Sequence, residues 1–345
     1  MKKLFVILTA ITLICVLAAC GGKETSGGEA SAKVEAVTFK LATPDPDDSD
    51  VTVAANELAK VVEEKSNGKI KISVHANGTL YGGDPAAAIK QLGAGSLDML
   101  ALSSSLYANF EPKYSAISIP YLFNDKEQYV SFINGDPGKK LLDSVDQLNI
   151  KALGYWPRNF RQITNSKGPI EKPEDLKGVK LRVPNNPLWV EFFKNTGAVT
   201  TPMDFSEVYN ALQLGAIDGQ ENPLSVIKAA KMNEVQKYTT ISNHMADAWV
   251  VGINSKKFNQ LSEDQQKILL DAVKEVQSWK LDYDEKETEE TIEFLKDHGV
   301  KVNELTSEQQ QKFVDVSKQA YPEFKKLVRD DAFFEEVLKF VGKNE

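Results

Sequence analysis

Between Ser262 and His298 the chain contains neither glycine nor proline. Ser262 with Gln265 has the spacing of a capping box at the front of this run, and Gly299 supplies a stop behind it. As one continuous helix the run would extend about 50 Å at 1.5 Å per residue, longer than an ordinary domain is wide. It predicts a helix that braces two bodies; the alternative is two helices broken near "DYDEKE". About 310 residues follow Glu35, more than a single core usually holds, which also points to two domains.

The first residues, "MKKLFVILTAITLICVLAAC", set two lysines before an uncharged stretch from Leu4 to Ala19 and end in small residues and a cysteine. The stretch falls short of the roughly 20 residues of a membrane span and has the layout of a secretory signal. "LAAC" is similar to the lipobox of bacterial lipoproteins, which makes residues 1–19 the expected signal peptide and Cys20 the lipidated anchor. "GGKETSGGEASAKVE" follows. Such a run cannot bury a core and behaves as a tether, residues 20–35, with a reach on the order of 20 Å. The expected location is outside the cytoplasm, on the outer face of the cell membrane, at the cell surface or in a periplasm. Cys15 lies within the signal, so the mature body is expected to have neither disulfide nor thiol chemistry. The formal charge of −8 argues against nucleic acid as a partner and means that any anion site must be local.

"AVTFKLAT" (36–43) and "KIKISVHA" (69–76), the latter with Ile70, Ile72 and Val74 on one face, read as strands. Between them Val51 to Lys65 carries apolar residues at 54, 58, 61 and 62, a helical spacing. "PAAAIKQLGAG" reads as a helix closed by glycine and "SLDMLALSS" as the next strand, completing a βαβαβ opening with parallel strands. Ligands of such sheets sit beyond the carboxyl ends of the strands, which singles out the loops "TPDPDDSD", "LYGGDP" and "SSSLY". "NIKALGYW" (149–156) is a further strand and "GVKLRVP" (178–184) starts a second α/β unit. In "DFSEVYNALQLG", Asp204 and Glu207 have capping-box spacing and the aromatics read as packing. Thr306 and Gln309 open another helix, and the C-terminal end is helical and charged.

Enzyme motifs are missing. "GAGSLD" lacks the last glycine of the dinucleotide fingerprint, and no Walker A, G-x-S-x-G or H-E-x-x-H sequence occurs. "DPDDSD" begins like a calcium loop without its glycine and glutamate and reads as a helix cap, with ligand contact secondary. His75, His244 and His298 are far apart, and no metal or cofactor is expected. Two arginines in apolar settings remain, Arg161 and Arg182. A guanidinium fork matches a carboxylate with two charge-assisted hydrogen bonds. On residues alone they suit an organic acid, while composition favours the alternative that both pair with internal aspartates or lie at the surface.

"FRQITNSKGPI", "LKGVKLRVPN", "DFSEVYNALQ" and "DGQENP", together with "NGKIKISVHANGTLYGGDPAAAIKQLGAGSLDM", "IPYLF" and "YTTISNH", resemble in order the segments of the DctP-type solute-binding proteins of TRAP (tripartite ATP-independent periplasmic) transporters. The resemblance covers essentially the whole mature chain. It implies an α/β, two-lobed, periplasmic-binding-protein-like clamshell with a long helix spanning both lobes: lobe I from 36–158 plus 249–288, lobe II from 159–248 plus 289–345. It also implies a receptor, not an enzyme, that hands a small organic acid to an ion-gradient-driven membrane permease. By resemblance Arg182 clamps the ligand carboxylate, Arg161 is a second ligand-facing arginine and Asn222 sits at the carboxylate end. Asn185 and Phe205 line the cleft and His244 lies near it. Asp84, Ser103 and Ser104 fall where contacts vary among members. Trp249, Trp156 and Arg158 join them from their places at strand ends.

Sialic-acid-binding members carry a glutamate and an arginine in the segment matching "SSSLY", where this chain has Ser103 and Leu106. A smaller sugar acid such as a uronate, or a C4-dicarboxylate, is the expected ligand, with Asp84 and the serines favouring hydroxyls. The rivals are a binding lipoprotein of an ATP-driven (ABC) importer and, from another class, a secreted hydrolase or lyase.

Overall fold

The computed structural model describes residues 36–343, so the expected signal peptide, Cys20 and the tether lie outside the described residues. The strands, in chain order, are β1 (Val37–Ala42), β2 (Ile70–His75), β3 (Met99–Ser103), β4 (Ile150–Pro157), β5 (Gln162–Asn165), β6 (Lys180–Val183), β7 (Val199–Pro202), β8 (Gly219–Asn222), β9 (Tyr238–Ile241), β10 (Ala248–Asn254) and β11 (Lys301–Glu304). They form a five-stranded sheet in the order β2-β1-β3-β10-β4 and a six-stranded sheet in the order β11-β9-β5-β8-β6-β7.

The parallel opening is present: β1 pairs in parallel with β2 and β3, joined by helices Asp50–Lys65 and Pro85–Ala94. β10 then runs antiparallel between β3 and β4. All residues of β3 and of β10 are buried, the mark of strands covered on both faces. In the second sheet β6 is parallel to β7 and β8, while β5 is antiparallel to β8 and β9.

The chain therefore crosses between sheets repeatedly. It leaves the first sheet at Pro157 and enters the second at Gln162, returns from β9 to β10, and crosses again through the long helix to β11. That helix is continuous from Glu263 to Asp297, and the reciprocal capping box of Ser262 and Gln265 holds its first turn. Leu269, Ala272, Val273 and Val276 pack its first half into the core behind the first sheet, with Leu153, Trp156 and Val251. Leu295 packs the far end with Val208, Ile217 and Leu224 beside the second. Burial of each large aliphatic side chain contributes roughly 1.5–3 kcal/mol, so both ends are held by apolar contact. No helix among the described residues is long and apolar enough to cross a membrane.

Helices Tyr321–Val328 and Asp331–Phe340, which the sequence division puts with the second lobe, seat against the segment Pro112–Ser118; the latter also meets helix Asp136–Ser144. Their apolar residues Phe324, Val328, Phe334 and Val337 merge into a core that contains side chains from both sheets.

Candidate functional site

The crossovers put the ends of β4, β5, β8 and β10 side by side, and their buried charges meet there. Arg161 precedes β5, and Glu221 lies in the partner strand β8. The guanidinium grips that carboxylate with both arms, Nε to Oε2 at 2.5 Å and Nη2 to Oε1 at 3.0 Å. Nη2 also donates to the Glu221 carbonyl (2.7 Å) and to Asn222 Oδ1 (2.9 Å). Burial alone would raise the Glu221 pKa, but Arg161 and His244 outweigh it and hold the group below the usual carboxylate range. His244 is pushed down by burial and so stays neutral at pH 7. Its ring lies between Ser242 Oγ (2.8 Å) and Glu221 Oε2 (3.2 Å).

A second pair is built at the ends of β4 and β10. Arg158 Nη1 donates to Asp247 Oδ2 at 2.8 Å, and its guanidinium lies 3.9 Å over the Trp249 ring. Asp247 is held by the hydroxyls of Ser103 (2.6 Å) and Ser104 (2.7 Å) and by the Ser105 amide (3.3 Å), all from the end of β3.

Arg182 differs. It sits on β6, 3% exposed, and donates Nε (3.0 Å) and Nη2 (2.7 Å) to the carbonyl of Met203. Unlike Arg158 and Arg161, it has no carboxylate at ion-pairing distance among the described residues. Burial pushes its pKa down to about 10, so it is still a cation at pH 7. Phe205 lies near its head, 5.9 Å from guanidinium carbon to ring centre.

These groups border a cavity of about 60 Å³ between the two sheets. A single water needs roughly 10–15 Å³, so the space is on the scale of a small organic molecule. Of the residues expected from sequence, Arg182, Arg161, Arg158, Asn222, Asn185, Phe205, Ser103 and Trp249 line it.

Four of the expected residues do not line the cavity, and their side chains are engaged elsewhere. Asp84 caps helix Pro85–Ala94, accepting from the amides of Ala86 (2.8 Å) and Ala87 (3.2 Å), and borders an adjoining recess instead. Ser104 is tied to Asp247. Trp156 faces the long helix and donates its indole N–H to the Val273 carbonyl at 3.2 Å. His244 stands behind Arg161 rather than at the wall. Asp204 is the helix cap residue by position, but its side chain makes no capping bond and lines the cavity. In "DPDDSD" the cap is Ser49; Asp50 begins the helix and pairs with the buried Lys280 at 2.7 Å.

Sequence reasoning missed Glu221 and Asp247, which hold two of the arginines, and Asp45 and Tyr81, which line the cavity. The last two lie in the loops "TPDPDDSD" and "LYGGDP", singled out by their place after strands, so the signal was present without the residue. Asp45 is buried, and its desolvation, opposed by Arg158, raises its pKa to about 7. Among the described residues no three His, Cys, Asp or Glu side chains are placed to hold a metal ion.

Residues 41–327 match the family model DctP, described as bacterial extracellular solute-binding protein, family 7. The chain is 30% identical over 295 residues to the 2,3-diketo-L-gulonate-binding periplasmic protein YiaO of Escherichia coli (strain K12), covering 86% of this chain and 88% of the relative. It is 32% identical over 279 residues to the C4-dicarboxylate-binding protein DctB of Bacillus subtilis (strain 168), covering 81% and 79%. A crystal structure of the sugar acid binding protein DctPAm from Advenella mimigardefordensis, in complex with galactonate, superposes with a TM-score of 0.85 at 33% identity, over 89% of this chain and 98% of that one.

Proposed function

The chain belongs to the DctP family of bacterial extracellular solute-binding proteins, and from that premise we propose that it is the receptor of a TRAP transporter, which captures a small organic acid by its carboxylate and delivers it to a membrane permease. The observation that carries this reading is Arg182, a buried cation at a cavity wall whose fork meets only a carbonyl. Burying an unpaired charge is costly, and a ligand carboxylate would offset that cost with two parallel charge-assisted hydrogen bonds. Arg161 and Asn222 stand beside it; Arg161, held by Glu221, positions Asn222 through its Oδ1 and presents its edge to the ligand.

Binding makes or breaks no covalent bond. The ligand enters between the two lobes, which divide at the crossovers near residues 158 and 249 and along the long helix. Closure expels water, and the lower local dielectric strengthens the pairing with Arg182. The closed form is the one the permease reads, since the ligand shifts the population towards it. The same reading includes export and lipidation of Cys20, with the tether letting the receptor stand off the membrane's outer face.

A thermal-shift screen of the full-length protein with aldonates, uronates and dicarboxylates tests this. At least one carboxylate raises the melting temperature saturably and without turnover, as a ligand of the native state alone must. The same ligand leaves Arg182→Ala unshifted. A full shift retained by that variant, or conversion of the acid to product, refutes the receptor reading.

A further inference from the structure

Three buried polar atoms of the cavity wall have no partner among the described residues: Arg158 Nε, and one each on Asp45 and Tyr81. Asp45 is 3% exposed, and its Oδ2 accepts no hydrogen bond. Tyr81 is 5% exposed, and its hydroxyl is likewise without a partner. Both line the cavity. They come from the loops after β1 and β2, on the first-sheet side, whereas Arg182 comes from β6 of the second sheet. The Asp45 loop is braced: its carbonyl accepts from the Asn77 amide (2.9 Å) and from Thr52 Oγ1 (3.4 Å). Native proteins retain few such orphaned atoms, and each specific one calls for an explanation. Of the residues expected to read hydroxyls, Asp84 caps a helix through Oδ1 and borders the adjoining recess, and Ser103 and Ser104 hold Asp247.

We propose that Asp45 and Tyr81 restrict this receptor to monocarboxylates bearing hydroxyl groups, sugar acids of the aldonate or uronate kind, and exclude C4-dicarboxylates; the proposal rests on the carboxylate-receptor reading above. Ligand hydroxyls donate to Asp45 Oδ2 and exchange hydrogen bonds with the Tyr81 hydroxyl, so these two atoms are met at once. Charge balance points the same way. Arg158, Arg161 and Arg182 supply three cations, and Glu221 and Asp247 already neutralise two of them. Arg182 is left to meet one ligand carboxylate, with the carboxyls of Asp45 and Asp204 already in the same wall. A second would enter a cavity that offers no further free cation and would share it with the Asp45 carboxyl, and two carboxylates in one buried site cannot both ionise without penalty.

Calorimetric titration of the full-length protein with galactonate, glucuronate and succinate decides the matter. At least one of the two sugar acids binds roughly ten- to hundredfold more tightly than succinate, the span set by leaving one buried group unpaired. Asp45→Asn, which keeps the shape and removes the acid, narrows that gap by improving succinate. Tyr81→Phe weakens the sugar acid several-fold and leaves succinate unchanged. Succinate binding as tightly as either sugar acid, with the tightness lost in Arg182→Ala, overturns this inference and leaves the receptor reading standing. Failure of all three acids and of every other carboxylate in the thermal screen overturns both.

Discussion

Arg161 and Arg182 invite opposite outcomes from the same substitution. Arg161→Ala leaves Glu221 fully buried without its cation, and His244, kept neutral by burial, cannot replace that charge. Breaking a buried pair by removing one partner costs about 3–5 kcal/mol. At roughly 2 °C per kcal/mol for a chain of this size, the melting temperature should fall by about 6–10 °C in the absence of ligand. Arg182→Ala removes only hydrogen bonds to the Met203 carbonyl, a loss of about 1 kcal/mol, and also relieves the desolvation of an unpaired cation. Its unliganded stability should stay within about 1 kcal/mol of the parent. Affinity for the acid should instead fall by about 2–5 kcal/mol, roughly 30- to 5,000-fold, the range for truncating one side of a buried charge pair. Urea unfolding without ligand measures the first quantity and calorimetric titration the second. If Arg182→Ala destabilises the free protein as much as Arg161→Ala does, Arg182 already has an internal partner. Arg182 is then consumed inside the fold, as Arg161 is.

Asp45 gives a pH dependence with a definite sign. Burial sets its folded pKa near 7, above the ordinary 3.8, with Arg158, Arg161 and Arg182 lowering it and Asp50 raising it. The folded state therefore holds this proton more tightly than the unfolded chain does, and the associated stability is lost as pH rises from about 4 to about 7. Asp45→Asn should gain on the parent across that window, by an amount on the order of 4 kcal/mol at most, read from paired unfolding curves; parallel curves at every pH refute the burial of that charge. Gly83 has φ +78°, and a Cβ there would sit 3.0 Å from Ser206 Oγ of the facing lobe. Gly83→Ala should cost about 1 kcal/mol of backbone strain and also weaken ligand binding by obstructing closure; unchanged affinity would show that the lobes do not meet there when loaded. Lys280 is fully buried between Asp50 and Asp284. Lys280→Met should destabilise by about 3–5 kcal/mol, measured by thermal unfolding, and a stabilised variant would mean that the network's desolvation outweighs its pairing.

The fold was most legible where one segment carries its own signal. The long helix announced itself by a capping pair, an unbroken run and a closing glycine, all of which act within a turn of the chain. The parallel opening was equally plain, since β1, β2 and β3 alternate with helices of clear apolar spacing. Sheet membership was less so. "AWVVGIN" is a continuous apolar run that reads as a buried strand in any sheet; the family resemblance, not the run, puts 249–288 with lobe I, and tertiary pairing puts β10 between β3 and β4. The last two helices show the same limit: Pro322 and the cap residue Asp330 mark where they begin, but the apolar faces that dock on Pro112–Ser118 name no partner.

For the site, local chemistry identified the arginines and left their partners open, because the partners are set by strand pairing over long loops. Glu221 is 60 residues beyond Arg161, and Asp247 is 89 beyond Arg158. Both carboxylates became neighbours of their arginines through the crossovers, β5 against β8 and β4 against β10. Arg161 pairs with an internal acid, an outcome the residues alone left open, and still lines the cavity. Arg182 on β6 escaped because its strand neighbours are Thr201 and Gln220, neither of which can neutralise it. The three arginines are thus chemically identical in sequence and distinct in function by register. Strand pairing decides which cation is consumed inside the fold and which is left for a ligand, and a shift of one residue in β6, by turning Arg182 to the other face of its sheet, would abolish the site while leaving the residue composition of the strand unchanged.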